Sequence, residues 1–212
     1  MTPKPFRAPF ITFEQIREQA DAFRDRYFAD AAPPFDVESV IEFDLNIRIN
    51  PIRGIKDRYD IDALLLSDFS TLIVDTTEYM DTRMRNRLRF SFAHELGHLC
   101  LHKAAYAGYP FHDGDEWLAF SQTIPDSDYG WMETHANEFA GRLLVPPDLL
   151  KAEVATAWMA AQAFFRANNF AETRLAEYAK DYIANAVSKQ FGVSSGVVIR
   201  RLDRERLWPL QT

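Results

Sequence analysis

The spacing of apolar residues divides the chain into helical and extended stretches. After Thr12, apolar side chains recur every three or four positions to about residue 29, which is typical of a capped amphipathic helix. A proline-containing break at 31–34 separates it from a short second helix that ends before Asn46. Alternating or β-branched apolar runs then predict three strands of a small antiparallel sheet, at 47–52, 63–66 and 71–74.

Helical spacing dominates the rest of the chain. One long helix is predicted from about residue 81 to 103, and another from about 131 to 144, because the two prolines at 146 and 147 cannot continue it. Two further helices follow. We expect three parts, an extended arm over residues 1–10, a domain with the sheet over 11–150 and a helical subdomain over 151–212.

Composition narrows the class of protein. The 212 residues include 24 Lys and Arg against 31 Asp and Glu, so the formal net charge is −7 and general coating of nucleic acid is not expected. An apolar content of 47% excludes intrinsic disorder. Cys100 is the single cysteine, and no apolar run reaches the ~18 residues that a membrane span needs. We expect a cytoplasmic protein without a secretory signal.

The predicted helix over 81–103 carries the sequence His94-Glu95-Leu96-Gly97-His98. At ~3.6 residues per turn, histidines four positions apart return to one helix face and can bind the same ion. Zinc accepts imidazole nitrogens and, in catalytic sites, keeps one position open for water. Glu95 can then act as general base for the attack of zinc-bound water on a carbonyl group. A chance match is the alternative, but the apolar surroundings predict a buried helix, and buried imidazoles need partners.

A third metal ligand is expected downstream, in the segment Glu133-Thr134-His135-Ala136-Asn137. Glu133 is the preferred candidate, since Asn137 shares its helix face and its amide can accept the far N–H of a ligand histidine. His135 is the rival, because imidazole is the commoner zinc ligand, but it lies elsewhere around the helix. His102, one turn further along the motif helix, is expected to pack or to form a hydrogen bond near the site.

Three stretches around these candidates form a wider signature. They are Arg89-Phe90-Ser91-Phe92-Ala93-His94-Glu95-Leu96-Gly97-His98, then Leu101-His102, and then Glu133, Ala136, Asn137, Phe139, Ala140, Leu143, Leu144 and Pro146. This signature resembles the ImmA/IrrE-type metallopeptidases, and looser similarity covers residues 10 to 150. The resemblance implies a zincin-like α+β domain with an active-site helix, with zinc bound by His94, His98 and Glu133 and with Glu95 as general base. Better understood members of that family cleave cytoplasmic DNA-binding repressors.

The resemblance implies a substrate, and the residues leave a competing hypothesis. The implied substrate is a helix-turn-helix repressor or an antitoxin, cut in an extended, flexible segment that we expect to add to the strand at 71–74. The alternative is a zinc-containing sensor or toxin-antitoxin protein that holds a partner without cutting it. A fourth protein ligand would close the site and favour that alternative, and the candidates are His102, His112 and His135. The candidates for oxyanion stabilisation, which the sequence does not rank, are Tyr106, Tyr109, His112 and Tyr129.

Two stretches outside the motifs have more than one interpretation. The separation of His98 from Glu133 is 133 − 98 = 35 positions and is rich in aromatic residues, which fits either a substrate-contacting lid or ordinary loop packing. The carboxy-terminal pattern around Gly192 resembles a helix-turn-helix. Because Asp203 and Glu205 interrupt its arginines, we favour packed helices over direct contact with nucleic acid.

Overall fold

The computed structural model describes residues 6–169 and 172–208, and only the backbone of 172–178. The strands are β1 Arg48–Ile52, β2 Ala63–Leu65 and β3 Thr71–Asp75. The helices are α1 Phe13–Tyr27, α2 Val37–Ser39, α3 Ile55–Tyr59, α4 Thr76–Met80, α5 Arg85–Tyr106, α6 Gly114–Ser121, α7 Asp126–Leu144, α8 Pro147–Ala167, α9 Glu172–Phe191 and α10 Ser195–Arg204. A π-helical turn, Val40–Asp44, continues α2, and a 3₁₀ turn, Thr82–Met84, leads into α5.

Contacts divide the chain into two compact units. The first contains the chain up to Ala29 together with Asp36–Leu143, and the second contains Asp30–Phe35 and the chain from Leu144 onward. The sheet and the His-Glu-x-x-His sequence belong to the first unit. The predicted boundaries at residues 10 and 150 remain predictions.

β3 is the central strand of the sheet. β1 pairs with it in parallel, with Ile49 opposite Leu72, and β2 pairs with it antiparallel, with Leu64 opposite Ile73. The prediction of an antiparallel sheet is therefore wrong, because the sheet is mixed. A short turn joins β2 to β3 as a hairpin, whereas α3 lies between β1 and β2 and carries the chain from one edge of the sheet to the other.

The position of β3 also overturns the expected docking strand. All five of its residues are buried, and it is paired with a neighbouring strand along both edges. An added peptide needs unpaired backbone N–H and C=O groups, which a central strand does not offer. The prediction that a substrate adds to residues 71–74 is wrong, and β2 is the edge strand nearest to the histidines described below.

Local caps account for helices that the apolar pattern does not predict. Asp75 accepts hydrogen bonds from the backbone N–H groups of Thr77 and Glu78 at the start of α4. Asp113 accepts one from the N–H of Glu116 at the start of α6, inside the long aromatic stretch. α7 begins at Asp126, ahead of the predicted start at residue 131. Much of the presumed loop is therefore helical.

A cluster of buried side chains ties the aromatic stretch and the amino-terminal segment to the sheet. Phe6 is 2% exposed, and the backbone N–H of Ala8 donates to Asp128 Oδ1 at 2.9 Å. Part of the predicted arm thus packs within the first unit and is not an extended arm there, while its residues 1–5 lie outside the described residues. The cluster consists of Phe6, Ile55, Leu64, Leu66, Ile73, Tyr106, Phe111, Trp117, Ile124 and Met132.

The second unit contains α8, α9 and α10. Gly192 adopts a positive φ of 59° after α9, a backbone conformation that glycine tolerates better than other residues, and the chain reverses into α10. Val198 and Leu202 of α10 are fully buried, and buried Arg201 forms an ion pair with Glu205. Within the described part of the chain, no helix is long and apolar enough to cross a membrane.

Candidate metal centre

α5 places the two motif histidines on one face. His94 and His98 are four residues apart, so about one helical turn separates them. Their ring centroids lie 4.8 Å apart, and their two Nε2 atoms approach to 3.0 Å. Both imidazoles therefore direct the same ring nitrogen toward one point.

α7 brings a carboxylate to that point. Glu133 Oε2 lies 3.3 Å from His94 Nε2, and Glu133 Oε1 lies 3.5 Å from His98 Nε2. Ligand atoms at about 2.0–2.1 Å from a tetrahedral zinc ion are separated from one another by about 3.3–3.4 Å. The separations of 3.0, 3.3 and 3.5 Å scatter around that value, so the three side chains fit one small cation.

The two helices approach closely because glycine and alanine meet between them. A Cβ atom on Gly97 would lie 2.9 Å from Ala136 Cα and 3.1 Å from its carbonyl oxygen. Gly97 directly precedes His98, and Ala136 lies between Glu133 and Asn137. The distance of Glu133 from His94 and His98 therefore depends on the absence of a side chain at position 97.

The imidazoles keep Glu133 in its charged form. Burial alone would raise the pKa of this carboxyl group, but hydrogen bonds and charges from His94 and His98 outweigh burial and bring the pKa well below its usual range. Burial also opposes protonation of His94, yet Glu133 and Glu95 raise the pKa of its imidazole. A cation can replace the proton in such a cluster, because metal ligands bind in their deprotonated forms.

Each motif histidine has a further partner at Nδ1. His94 Nδ1 lies 3.3 Å from Asn137 Oδ1, which is the contact expected from the helical spacing of Glu133 and Asn137. His98 Nδ1 lies 3.0 Å from His102 Nδ1 and 3.4 Å from the hydroxyl of Tyr106. These contacts orient both rings from the side opposite the cluster of Nε2 atoms.

His135, the rival for the third ligand position, lies behind His102. Its Nδ1 is 3.3 Å from His102 Nε2, and the two rings stack with centroids 5.5 Å apart. Among the described residues, the donor atoms found within 4.8 Å of one another come from His94, His98 and Glu133. The structure thus brings Glu133, and not His135, to the motif histidines. The contact between His102 and His135 is missed from the sequence, because it depends on how α7 is rotated against α5.

A family model supplies the decisive comparison. The model described as Peptidase_M78, IrrE N-terminal-like domain, matches residues 80–203, which is more than half of the chain. The chain belongs to this family. It is a metallopeptidase-type protein of a generally metal-dependent family, and the clustered histidines and glutamate lie within the matched region. A search of curated proteins finds no match to the chain.

The family match covers the carboxy-terminal helices as well as the motif region. It begins at residue 80, after the sheet, and continues to residue 203 near the end of α10. The helices α8 to α10 are therefore part of what this peptidase family shares.

Glu95 is a buried carboxylate next to the cluster of His94, His98 and Glu133. Glu95 is 8% exposed, and its Oε2 accepts a 2.8 Å hydrogen bond from the backbone N–H of Leu65 in β2. Burial raises the pKa of Glu95, although the charges of His98 and His94 and the Leu65 hydrogen bond act in the opposite direction. A carboxyl group with a raised pKa is a stronger base when it is ionised.

An aromatic cleft opens in front of the cluster. Its walls come from β2, α5, α7 and the aromatic stretch between the last two, including Tyr106, Phe111, Trp117 and Tyr129. Of the four candidates for oxyanion stabilisation, Tyr106 and Tyr129 line the cleft. His112 Nδ1 instead lies 2.9 Å from Glu116 Oε2, and both side chains are exposed. The stretch between His98 and Glu133 is thus in contact with the cleft and is also part of the packed core.

Proposed function

We propose that the protein is a zinc-dependent endopeptidase whose zinc ligands are His94, His98 and Glu133. The observation that carries the proposal is the set of donor separations, 3.0 to 3.5 Å, which suits a tetrahedral zinc ion. Two imidazoles and one carboxylate make a donor set that catalytic zinc sites use, with the fourth position left for water. Within the described residues no fourth side-chain donor joins this group, which argues against a closed structural site.

Bound zinc would polarise the scissile carbonyl and lower the pKa of water. Glu95 accepts a proton from the attacking water while the new C–O bond forms at the carbonyl carbon. It then transfers this proton to the amide nitrogen as the C–N bond breaks, leaving a carboxylate and an amine. The Leu65 N–H holds one oxygen of Glu95 at 2.8 Å, so the carboxylate is oriented before substrate binds.

Tyr129 is the residue best placed to stabilise the oxyanion. It lies four residues before Glu133 on α7, lines the cleft and is 37% exposed, so substrate can reach it. Burial and the charges of Glu133 and Glu95 raise the pKa of its phenol to about 12, so it stays protonated and can donate a hydrogen bond. The hydroxyl of Tyr106 instead contacts His98 Nδ1, behind the ring.

The edge strand β2 offers a docking site for an extended substrate. Ile61, Asp62 and the whole of β2 line the cleft. The hydrogen bonds of Asp62 and Leu66 to β3 show that alternate residues face the central strand, so Ala63 and Leu65 direct their backbone groups to the open edge. The N–H of Leu65 is already bonded to Glu95, which leaves the groups of Ala63 and the carbonyl of Leu65 for the peptide.

Such a cleft requires a flexible target. A folded protein would have to unwind several residues to pair with β2, whereas an interdomain linker or exposed loop can enter at little cost. A helix-turn-helix repressor or antitoxin with such a linker is the proposed substrate. The formal charge of −7 is compatible with docking of a basic DNA-binding protein.

Metal analysis tests the zinc site. The purified protein should hold about one zinc per chain, and His94→Ala, His98→Ala and Glu133→Ala should each lose most of it. The exposed His112, which pairs with Glu116 outside the cleft, provides the matched control His112→Ala. Full zinc retention in Glu133→Ala would contradict the assignment of the third ligand.

A cleavage assay tests the chemistry and the substrate. The zinc-loaded protein is mixed with the repressor or antitoxin encoded beside it, and fragments are read by mass spectrometry. Glu95→Gln should keep zinc and lose cleavage, because an amide cannot accept the proton from water. Stable complex formation without cleavage, with zinc bound, would favour the alternative in which the fold holds its partner without cutting it.

A further inference from the structure

A row of buried imidazoles extends behind the metal-binding cluster. His98 Nδ1 lies 3.0 Å from His102 Nδ1, and His102 Nε2 lies 3.3 Å from His135 Nδ1. His102 is 0% exposed and His135 is 3% exposed. Neither side chain belongs to the donor group, and the proposed peptide hydrolysis does not use either one.

The three rings can all be satisfied by one arrangement of protons. A metal ligand that binds through Nε2 is neutral and carries its proton on Nδ1, so His98 must donate from Nδ1. His102 then accepts at Nδ1 and carries its own proton on Nε2. His135 accepts that hydrogen bond at Nδ1 and carries its proton on Nε2. Reversing any one ring would place two protons, or two lone pairs, against each other in a buried contact.

We propose that His102 and His135 are positioning residues, which fix the tautomer and the ring orientation of His98 and thereby increase the affinity of the metal site. The proposal rests on the proposed function, because it takes His98 as a metal ligand. Partners on the far nitrogen of a ligand histidine commonly change metal affinity about 10- to 100-fold. Here the partner is an imidazole, which is itself oriented by a second imidazole.

Packing alone is the competing explanation for the two residues. A filled core needs only a side chain of similar volume at position 102, whereas positioning needs an acceptor for the His98 N–H. Leucine fills space without accepting a hydrogen bond, and glutamine supplies an amide oxygen. The pair His102→Leu and His102→Gln therefore separates the two explanations, and His135→Leu and His135→Gln repeat the comparison one step further from the metal.

Zinc affinity, measured by competition with a chromogenic chelator, is the first readout. His102→Leu should weaken zinc binding by about 10- to 100-fold, His102→Gln should recover most of that loss, and His135→Leu should show a smaller loss. The control His112→Leu should bind as the wild type does. Equal zinc affinity in wild type and His102→Leu would overturn the proposal. Failure of the wild type to bind zinc would instead overturn the proposed function.

Tautomers in the unsubstituted protein provide a readout that does not depend on variant folding. In zinc-loaded protein labelled with ¹⁵N-histidine, the ring-nitrogen shifts should show the proton on Nδ1 of His98 and on Nε2 of both His102 and His135. A proton on Nδ1 of His102 would overturn the proposal, because His98 could not then donate to it.

Discussion

Adding one methyl group at position 97 should disturb the proposed metal site without changing any of its proposed ligands. A Cβ atom on Gly97 would lie 2.9 Å from Ala136 Cα, 3.1 Å from its carbonyl oxygen and 3.3 Å from its Cβ. Carbon atoms in favourable contact are about 3.5–4.0 Å apart. Backbone atoms of α7 make up two of the three contacts, so no rotamer change can relieve the overlap. α5 and α7 must separate by roughly 0.5–1 Å.

The loss of stability from this overlap can be separated from the stability that alanine adds when it replaces glycine in a helix. Alanine is favoured over glycine in a helix by about 1 kcal/mol, and overpacking in a core costs about 1–3 kcal/mol. Gly130 lies in α7 with no atom within 4 Å of its added Cβ, so Gly130→Ala carries the gain without the overlap. The free energy of unfolding of Gly97→Ala should therefore be lower than that of Gly130→Ala by about 1–3 kcal/mol.

Urea unfolding of the two metal-free variants measures this difference, and chelator competition measures their zinc affinity. Gly97 adjoins His98, and Ala136 lies between Glu133 and Asn137, so moving α5 away from α7 in Gly97→Ala should also weaken zinc binding at least tenfold. Gly130→Ala should bind zinc as the wild type does. Wild-type stability together with wild-type zinc affinity in Gly97→Ala would refute the argument that close packing at this position sets the donor separations.

Three further outcomes follow from the contacts of the first unit. Tyr129→Phe should lower kcat by about 10²-fold with little change in KM or zinc content, whereas Tyr182→Phe, an exposed tyrosine of α9, should change none of them in a peptide-cleavage assay. Zinc at 100 times its Kd should raise the free energy of unfolding by about 2.7 kcal/mol, and Glu133→Ala should abolish this gain in urea titrations. Asp75 accepts backbone hydrogen bonds from Gly54, Lys56, Thr77 and Glu78, which outweigh burial and lower its pKa. The stabilisation of the fold by Asp75 is therefore present above the pKa of this carboxyl group in the unfolded chain, about 3.9, and is lost as the pH falls through its pKa in the folded protein. Asp75→Asn should lower the free energy of unfolding by about 1–3 kcal/mol at pH 7, and the free energy of unfolding of this variant should depend less on pH in the acid range.

The local part of the site could be predicted from the sequence. The spacing of His94 and His98 fixes their common face once the helix is predicted, and the same arithmetic places Asn137 one turn after Glu133. The contact of Asn137 with His94 also follows the expected pattern. These inferences depend only on helical geometry, which is a property of neighbouring residues.

The rest depends on how distant segments pack, which periodicity does not encode. The apolar pattern of three strands does not reveal their order in the sheet or the helix α3 between β1 and β2, so it does not show that the sheet is mixed. The contact of His102 with His135 requires the rotation of α7 against α5. That rotation depends on the close approach of Gly97 to Ala136. The spacing of apolar residues along the sequence does not predict that these two residues are in contact.

The two carboxylates at the site differ in environment, and this difference supports the roles proposed for them. Glu133 is hydrogen-bonded to both motif imidazoles, which lowers its pKa and keeps it charged, as the proposed role of metal ligand requires. Glu95 has no such bond to an imidazole among the contacts described; its Oε2 is held by the backbone of Leu65, and burial raises its pKa. A group that must accept a proton and then release it works best when its two protonation states are close in free energy. The raised pKa makes Glu95 the stronger base of the two, and the lowered pKa makes Glu133 the more persistent anion, which supports the proposed roles of general base and metal ligand.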